Sequence, residues 1–315
     1  MIIDFNFDFY EIVVWVATIL LCLIAKACQN IPLRKRGGVG QPLPNPIALV
    51  CAIAFFTTFA ALRKNVGDTF YYALSFSLYG GGNNPVTAEL FFTEMFLFFQ
   101  NWIRNMTDDP QWLIAFSAIF SLPMALYILY KYAYPFDLAI YLFVANGYLG
   151  GMMNGMRQYM AAAIVLCGTR YLFSLKRGSF IKYAAIIGLA WSMHNSALIM
   201  IPLFWVVRRK AWQLSSYVIL LASVVGTVAF DAIMPSFLGA VENTSYGTYA
   251  ENGWFTSGTE GGSSFGRVLV ALAPVVIAFM NQERMKPLGH IGDILVNMTF
   301  INAAICMVAT VTGYL

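Results

Sequence analysis

Long apolar runs alternate with short clusters of basic residues, and this alternation constrains the fold more than any other feature of the chain. A helix needs roughly 20 apolar residues to cross the hydrocarbon core of a bilayer. Hydrophobic residues make up 59% of the 315 residues and charged residues only 11%, whereas soluble domains carry about 25% charged residues. The chain therefore cannot cover a water-facing surface. This excludes a soluble enzyme, a disordered tail and a nucleic-acid-binding domain, and it indicates a polytopic membrane protein.

The basic clusters predict the direction of each span, because cytoplasmic loops of membrane proteins collect Lys and Arg. With every cluster placed on the inner side, the chain is predicted to form about ten transmembrane helices in a single integral-membrane domain, residues 1–315. The predicted spans cover about 9–27, 46–62, 111–130, 136–150, 157–174, 180–191, 196–207, 213–231, 267–281 and 290–313. Two longer segments, 63–110 and 232–266, are predicted to lie outside.

The stretch between Arg177 and Arg208 is ambiguous. As a single span it would place the cluster 208–210 outside, against the charge bias. As two helices, 180–191 and 196–207, each is too short to cross roughly 30 Å at about 1.5 Å per residue. Short paired helices are tolerated where the backbone is buried in protein or lines a wet cavity, so we favour a broken hairpin here.

Spans four and five form a second hairpin, which we predict to be joined by a Gly-rich turn over 147–155 on the outer side. This turn leads into the predicted fifth span and places an arginine, Arg157, at the outer end of that span.

Five cations are exceptional in this topology because they lie on the outer side, together with 12 of the 15 Asp and Glu residues. The other 14 of the 19 Lys and Arg residues lie inside. Four of the five are Arg, the side chain suited to bidentate phosphate binding. The five are Arg63, Lys64, Arg104, Arg157 and Arg267. For Arg157, a phosphate site at a helix N-terminus competes with a snorkelling interfacial arginine.

Two other side chains are candidates for proton chemistry. Asp68 follows Arg63 by five residues, a spacing equally consistent with a local ion pair and with a site where Arg63 holds an anion beside an acidic base. His194 lies at the predicted break of the hairpin. It can act as a general base near neutral pH, and hydrogen-bonded packing explains such a histidine equally well.

The outer segment 63–110 contains a run, 89–105, that is apolar but interrupted by Glu and Arg. This pattern predicts a helix lying in the outer interface of the membrane. Asp108-Asp109-Pro110 follows, and we interpret it as the cap of the next helix, with a metal site as the alternative.

The second outer segment is rich in Gly, Ser and aromatic residues, among them Tyr246, Tyr249 and Trp254. Such aromatics suit stacking against sugar rings and equally suit an interfacial aromatic belt. The sequence contains no Walker loop, dinucleotide fingerprint or CxxC pair, so nucleotide-driven transport and redox chemistry have no sequence support.

Three motifs, in this order, resemble the EpsG family of polysaccharide polymerases, the Wzy-like integral-membrane enzymes of capsule and exopolysaccharide assembly. The motifs are LRKNVGDTFYY (62–72), GMRQYMAAAI (155–164) and HNSALIMIP (194–202). Each motif is short, but their order, their separations and the pattern of spans agree with the family from about residue 9 to residue 282.

The resemblance implies an all-α polytopic fold of the type C glycosyltransferase kind, with short broken helices, an outer interfacial helix and an outer cavity. It implies a multi-pass protein of the cytoplasmic membrane whose active site faces outside and polymerises oligosaccharide repeat units carried on polyprenyl diphosphate. The lipid diphosphate would leave, so no nucleotide sugar, cofactor or metal is expected. The implied partners are the lipid-linked oligosaccharide, membrane lipid, and chain-length-regulator and flippase proteins, with no nucleic acid.

The candidate residues fit this implied reaction. Three arginines would bind the diphosphate and stabilise its developing charge. The first candidate is Arg157, followed by Arg63 and Arg267. His194, or alternatively Asp68, would take the proton of the acceptor hydroxyl. The residues expected to bind the glycan are Gln158, Tyr71, Tyr72, Tyr246, Tyr249 and Trp254.

Two main alternatives remain open from the sequence, and an O-acetyltransferase is a third: His194 would serve it, but the outer arginines have no obvious role there. A glycan ligase of the same membrane class would transfer the finished chain to another acceptor and is barely distinguishable from a polymerase. A transporter or flippase for the lipid-linked sugar is the second alternative. Transporters often contain internal repeats and ionisable groups near the bilayer midplane, whereas we detect no repeat here and the unusual cations lie towards one face.

Overall fold

The computed structural model describes residues 7–30, 40–64, 66–79, 95–230 and 265–309, together with isolated positions 232, 236 and 239. Within these ranges the regular elements are helices, and no β-strand occurs. The α-helices are α1 Phe7–Gln29, α2 Ile47–Ala61, α3 Thr69–Tyr79, α4 Met95–Arg104, α5 Gln111–Tyr132, α6 Phe136–Ala145, α7 Tyr148–Asn154, α8 Met156–Cys167, α9 Thr169–Leu172, α10 Ser179–Trp191, α11 Met200–Val207, α12 Leu214–Val228, α13 Phe265–Met280, α14 Gln282–Met285 and α15 His290–Val308. Two 3₁₀ helices cover Asn195–Ile199 and Lys286–Leu288.

Three of these helices, α1, α5 and α15, are each long and apolar enough to cross a membrane. Two bent helix pairs raise the number of candidate spans to five: α6 with α7, bent by 49°, and α13 with the segment 282–288, bent by 85°. Shorter apolar helices occupy the other predicted spans. The protein is therefore an all-helical membrane protein, as predicted, while the count of about ten spans and the type C likeness stay predictions.

The ambiguous stretch forms two separate helices, which confirms the break in the predicted hairpin. Helix α10 ends at Trp191, and the 3₁₀ helix begins at Asn195 and continues into α11. His194 lies between them in extended conformation, with φ −155° and ψ 128°.

The predicted turn over 147–155 was wrong, because most of it forms helix α7. Gly147 has the left-handed φ of 73°, which ends α6 and redirects the chain. Gly151 lies within α7 against the ring of Tyr159, where a Cβ atom would overlap the ring. Glycine here permits close packing of α7 against α8 in addition to a change of direction.

The chain divides into two compact units, Met1–Ile201 and Pro202–Leu315, and the prediction of one domain over 1–315 stays a prediction. The first unit contains two buried cores. One joins α1, α2, α5, α6 and α7 through residues such as Phe56, Leu122 and Ile140. The other, which we call the site core, contains Phe76, Phe96, Ile114, Met156, Met160 and Met193.

The second unit packs α13 and α15 around Phe300 and Val296. Asn297 of α15 is buried, and its side-chain NH₂ donates to the carbonyl oxygens of Val207, at 3.0 Å, and Arg209, at 2.8 Å. These bonds fix the turn before α12 within this unit, because a buried amide requires partners.

Candidate functional site

The site core brings the three sequence motifs together. Phe76 follows the first motif on α3, Met156 and Met160 belong to the second motif on α8, and Met193 immediately precedes the third. The backbone N–H of Met95, at the start of α4, donates to the carbonyl oxygen of Ser192 at 2.8 Å. Helix α4 is therefore attached directly to the loop that carries His194.

Arg157 lies in the first turn of α8 and is half-buried. Its guanidinium carbon lies 5.5 Å from the centroid of the Phe96 ring, a cation–π arrangement that orients the side chain. Its Nε atom is buried without a hydrogen-bond partner among the described residues. An unpaired guanidinium donor in a half-buried position is suited to an anion that completes its hydrogen bonding.

Arg63 is only 2% exposed. The sequence predicts that it binds an anion at the outer end of the second span. Its Nε donates to the Thr69 hydroxyl at 3.2 Å and its Nη1 to the Ala60 carbonyl at 2.6 Å. These bonds take the place of the local ion pair with Asp68 that the spacing suggested. The Nη2 atom is buried and unpaired within the described part of the chain. Burial lowers the pKa of Arg63 to about 10, opposed by Tyr10 and Tyr72, so the group stays charged at neutral pH.

Asp68 has an exposed side chain at the start of α3. Its backbone N–H donates to Oδ1 of Asn154 at 2.7 Å, and its carbonyl accepts from the Tyr72 N–H at 3.1 Å. The bond from the Asp68 N–H to Asn154 joins the first motif to the residue just before the second motif. An exposed carboxylate held by its own backbone is accessible for proton transfer.

Tyr72 connects the same two motifs. Burial raises the pKa of Tyr72, whereas the backbone of Arg157 lowers it. The charges of Arg157, Asp68 and Arg63 act on Tyr72 as well. Tyr72 thus lies within electrostatic range of three predicted site residues: Arg157, Asp68 and Arg63.

His194 is half-buried and caps the following 3₁₀ helix. Its Nδ1 lies 2.7 Å from Oγ of Ser196 and 3.3 Å from the backbone N of Ser196, which donates to it. An N–H donor requires a lone pair on its partner, so we assign the proton of the neutral ring to Nε2. Burial lowers the pKa of His194 and the positive charge of Arg157 lowers it further, which favours the neutral ring.

The other predicted site residues lie in three places. Gln158 is exposed on α8 beside Arg157, and Tyr71 is exposed on α3. Arg267 is exposed near the start of α13, in the second unit. Tyr246, Tyr249 and Trp254 lie outside the described residues.

The remaining outer arginine, Arg104, makes local contacts. Its Nη1 lies 2.9 Å from Oδ1 of Asp108, and its guanidinium carbon lies 5.5 Å from the centroid of the Phe76 ring. Oδ1 of Asp109 accepts from the Gln111 N–H at 2.9 Å, which supports the interpretation of this acidic pair as a helix cap. Among the described residues, no group of three or more His, Cys, Asp and Glu side chains could hold a metal ion.

Sequence reasoning missed three contributors: Asn154, Phe96 and the hydroxyl of Thr69. Asn154 directly precedes the second motif, and the Asn-Gly pair at 154–155 predicts only a turn. Phe96 is one of many phenylalanines, and nothing in its sequence position marks it as the partner of an arginine.

The helices and this cluster define a class: an all-helical membrane protein in which candidate site residues from three separated segments lie around one core. The sequence profile of the EpsG family matches residues 47–314, and the chain belongs to the EpsG family. This membership indicates a membrane protein related to polysaccharide synthesis. Comparison with curated proteins gave no match, and neither did comparison with solved structures.

Proposed function

We propose that this protein polymerises polyprenyl-diphosphate-linked oligosaccharide repeat units into an exopolysaccharide or capsule on the outer face of the cytoplasmic membrane. The observation that carries the proposal is the convergence of Arg157, Asp68 and His194 from three separated motifs around one core. Family membership supports polysaccharide synthesis in general, and the cluster supplies groups suited to a diphosphate leaving group.

The proposed reaction transfers the growing glycan from its lipid diphosphate to a hydroxyl of the next lipid-linked repeat. The bond between the anomeric carbon and the diphosphate oxygen breaks, and its electron pair leaves with the diphosphate. A new bond forms between the anomeric carbon and the acceptor oxygen. Arg157 is our first candidate for binding the diphosphate, because the residue is only half-buried and its Nε lacks a hydrogen-bond partner among the described residues.

Arg63 acts differently in this proposal, because it is buried and already bonded to Thr69 and Ala60. Its charge adds to the positive potential at Tyr72, and its buried Nη2 lacks a hydrogen-bond partner among the described residues. Arg267 is the third candidate for binding the diphosphate, and we expect Arg267→Ala to lower the elongation rate.

The acceptor proton needs a base, and His194 is our first candidate. Since Nδ1 holds the lone pair and faces the Ser196 hydroxyl at 2.7 Å, the proton reaches it through Ser196: the acceptor hydroxyl donates to Oγ as Oγ donates to Nδ1. Asp68, with its exposed carboxylate, is the second candidate. Gln158 and Tyr71 are exposed beside these groups and are proposed to contact the glycan.

Helix α4 is proposed to admit the lipid tail from the outer leaflet. It is amphipathic, burying Met95, Phe96, Gln100 and Ile103, and Trp102 is 42% exposed on it. An exposed tryptophan on a short amphipathic helix suits the headgroup level of a bilayer. Because α4 also carries Phe96 and contacts Ser192, a lipid lying along it would reach the candidate site.

The test uses purified full-length protein in liposomes and single lipid-linked repeats extracted from a strain lacking the gene. We expect a ladder of lipid-linked polymers with no other acceptor added, and no ladder with His194→Ala or Arg157→Ala expressed at normal levels. A ladder that persists in both variants would overturn their assigned roles. A glycan ligase would produce no ladder and would require a different acceptor, and a flippase would move the repeat across the liposome without joining it.

A further inference from the structure

The turn before α3 and the end of α7 are joined by a contact that spans 86 residues of sequence. The backbone N–H of Asp68 donates to Oδ1 of Asn154 at 2.7 Å. Asn154 is the last residue of α7, and Arg157 follows three residues later in the first turn of α8. One side chain therefore connects the backbone of Asp68, the second candidate base, to the segment that carries Arg157, the first candidate for binding the diphosphate.

Gly67 makes this approach possible. Its φ of +54° lies in the left-handed region, which glycine adopts without strain. A Cβ atom at this position would overlap Oδ1, Cγ and Cβ of Asn154. The glycine of the first motif is therefore required both for the backbone conformation and for the space that Asn154 occupies.

Tyr72 lies one turn further along α3, close enough to Arg157 for that residue to lower the pKa of the phenol. The Tyr72 N–H bonds back to the Asp68 carbonyl at 3.1 Å. The bond from the Asp68 N–H to Asn154 therefore joins the two segments through a side chain that lies outside the three motifs.

We propose that Asn154 is a positioning residue that sets the place of Asp68 relative to Arg157 for glycan transfer. This inference rests on the proposed function. Asn154 acts through the backbone of Asp68 and through its own place before α8. Its side chain is itself exposed, so the oxygen that holds Asp68 is not needed to fill a core.

The experiment compares Asn154→Leu and Asn154→Asp with the wild-type protein in the elongation assay. Leu has a similar size without an acceptor, and Asp keeps the acceptor oxygen. We expect Asn154→Leu to lower kcat by about tenfold to a hundredfold with little change in KM, because misplacing a reacting group by about 1 Å can cost about a hundredfold. Asn154→Asp is expected to stay within about threefold of wild type, because its carboxylate accepts the same bond.

The matched control is Asn281→Leu, since Asn281 is a half-buried asparagine directly after α13 whose side-chain NH₂ donates to the Ile277 carbonyl of that helix at 2.9 Å. A double-mutant cycle with Gly67→Ala adds a second readout. Gly67→Ala alone displaces Asn154 and should lower kcat as Asn154→Leu does. In the double variant with Asn154→Ala, the Cβ atom added at position 67 meets fewer atoms. The loss of kcat in the double variant should therefore be smaller than the product of the losses in the two single variants.

Each outcome has one meaning. If wild type forms no ladder, the proposed function fails. If wild type elongates and Asn154→Leu matches Asn281→Leu, the positioning role is overturned while the function stands. If Asn154→Leu lowers kcat but Asn154→Asp is equally impaired, the acceptor bond is not the cause, and the inference is likewise overturned.

Discussion

Oγ of Ser196 lies 2.7 Å from Nδ1 of His194, and the backbone N–H of the same serine donates to the same nitrogen at 3.3 Å. The histidine thus presents its lone pair to a serine two residues later in the chain. This arrangement assigns the proton of the neutral ring to Nε2 and makes the serine hydroxyl the immediate neighbour of the basic nitrogen.

The serine hydroxyl can be tested by itself. Ser196→Ala keeps the backbone cap but removes the hydroxyl, and we expect the elongation rate to fall about a hundredfold, the lower end of general-base effects. Ser196→Thr restores a hydroxyl and should recover most of the rate. Ser77→Ala is the control, because the Ser77 hydroxyl is exposed and donates to the Ala73 carbonyl within its own helix at 3.0 Å. Equal rates for Ser196→Ala and Ser77→Ala would rule out the relay.

The pKa of His194 can be measured directly, since the chain contains only two histidines. In a His290→Gln background, NMR titration of the imidazole should give a pKa below the ordinary 6.5, because burial and then Arg157 disfavour the charged ring. As pH falls through that lowered pKa, the ring gains a proton and loses its basic nitrogen. Arg157→Gln removes one cause and should move the pKa upwards. A pKa at or above 6.5 in the Arg157-containing protein would contradict this placement.

Arg157→Lys tests whether the guanidinium, rather than charge alone, binds the donor. Lysine keeps the charge but loses the forked donors, so we expect the elongation rate to drop about a hundredfold, comparable with loss of an electrostatic group at a reacting oxygen. The comparison is Arg170→Lys, whose guanidinium carbon also lies over an aromatic ring, 4.8 Å from the Tyr171 centroid. The idea fails if both substitutions have the same small effect on elongation.

Thr69 should contribute to stability through the buried Arg63. Thr69→Val removes the hydroxyl that accepts from Arg63 Nε at 3.2 Å and leaves a buried donor unpaired, which costs about 1–3 kcal/mol. Thermal unfolding in detergent should show a lower midpoint for Thr69→Val than for Ser77→Ala, an exposed hydroxyl of the same helix bonded to the Ala73 carbonyl at 3.0 Å. Indistinguishable midpoints would mean that the Arg63 bond adds nothing to stability.

The predicted orientation can be checked with single cysteines in a background lacking the five native ones. Met106, 67% exposed between α4 and α5, is predicted to lie outside, and Arg177, between α9 and α10, inside. A membrane-impermeant maleimide added to intact spheroplasts should label Met106→Cys and should label Arg177→Cys only after permeabilisation. The reverse pattern would invert the topology and place the candidate site on the cytoplasmic side.

The positions of the helices followed closely from the sequence where hydropathy and charge agreed. The predicted spans at 46–62 and 111–130 correspond to α2 and α5, because a long apolar run has no alternative to burying its backbone hydrogen bonds in a helix. The segment 147–155 was misread because glycine is compatible both with a turn and with a closely packed helix. Tyr159, which decides between them, packs against Gly151 only once α8 is in place.

The motif residues were predicted from the sequence, but their arrangement was not. The excess of arginine on the acidic outer side singled out Arg63 and Arg157, since charge bias is a property of composition and topology. That Arg63 is buried, that Arg157 lies over Phe96, and that Asn154 holds the backbone of Asp68 were decided by the tertiary structure alone. Such contacts depend on distances between helices that are far apart in the chain, and hydropathy and charge carry no information about those distances.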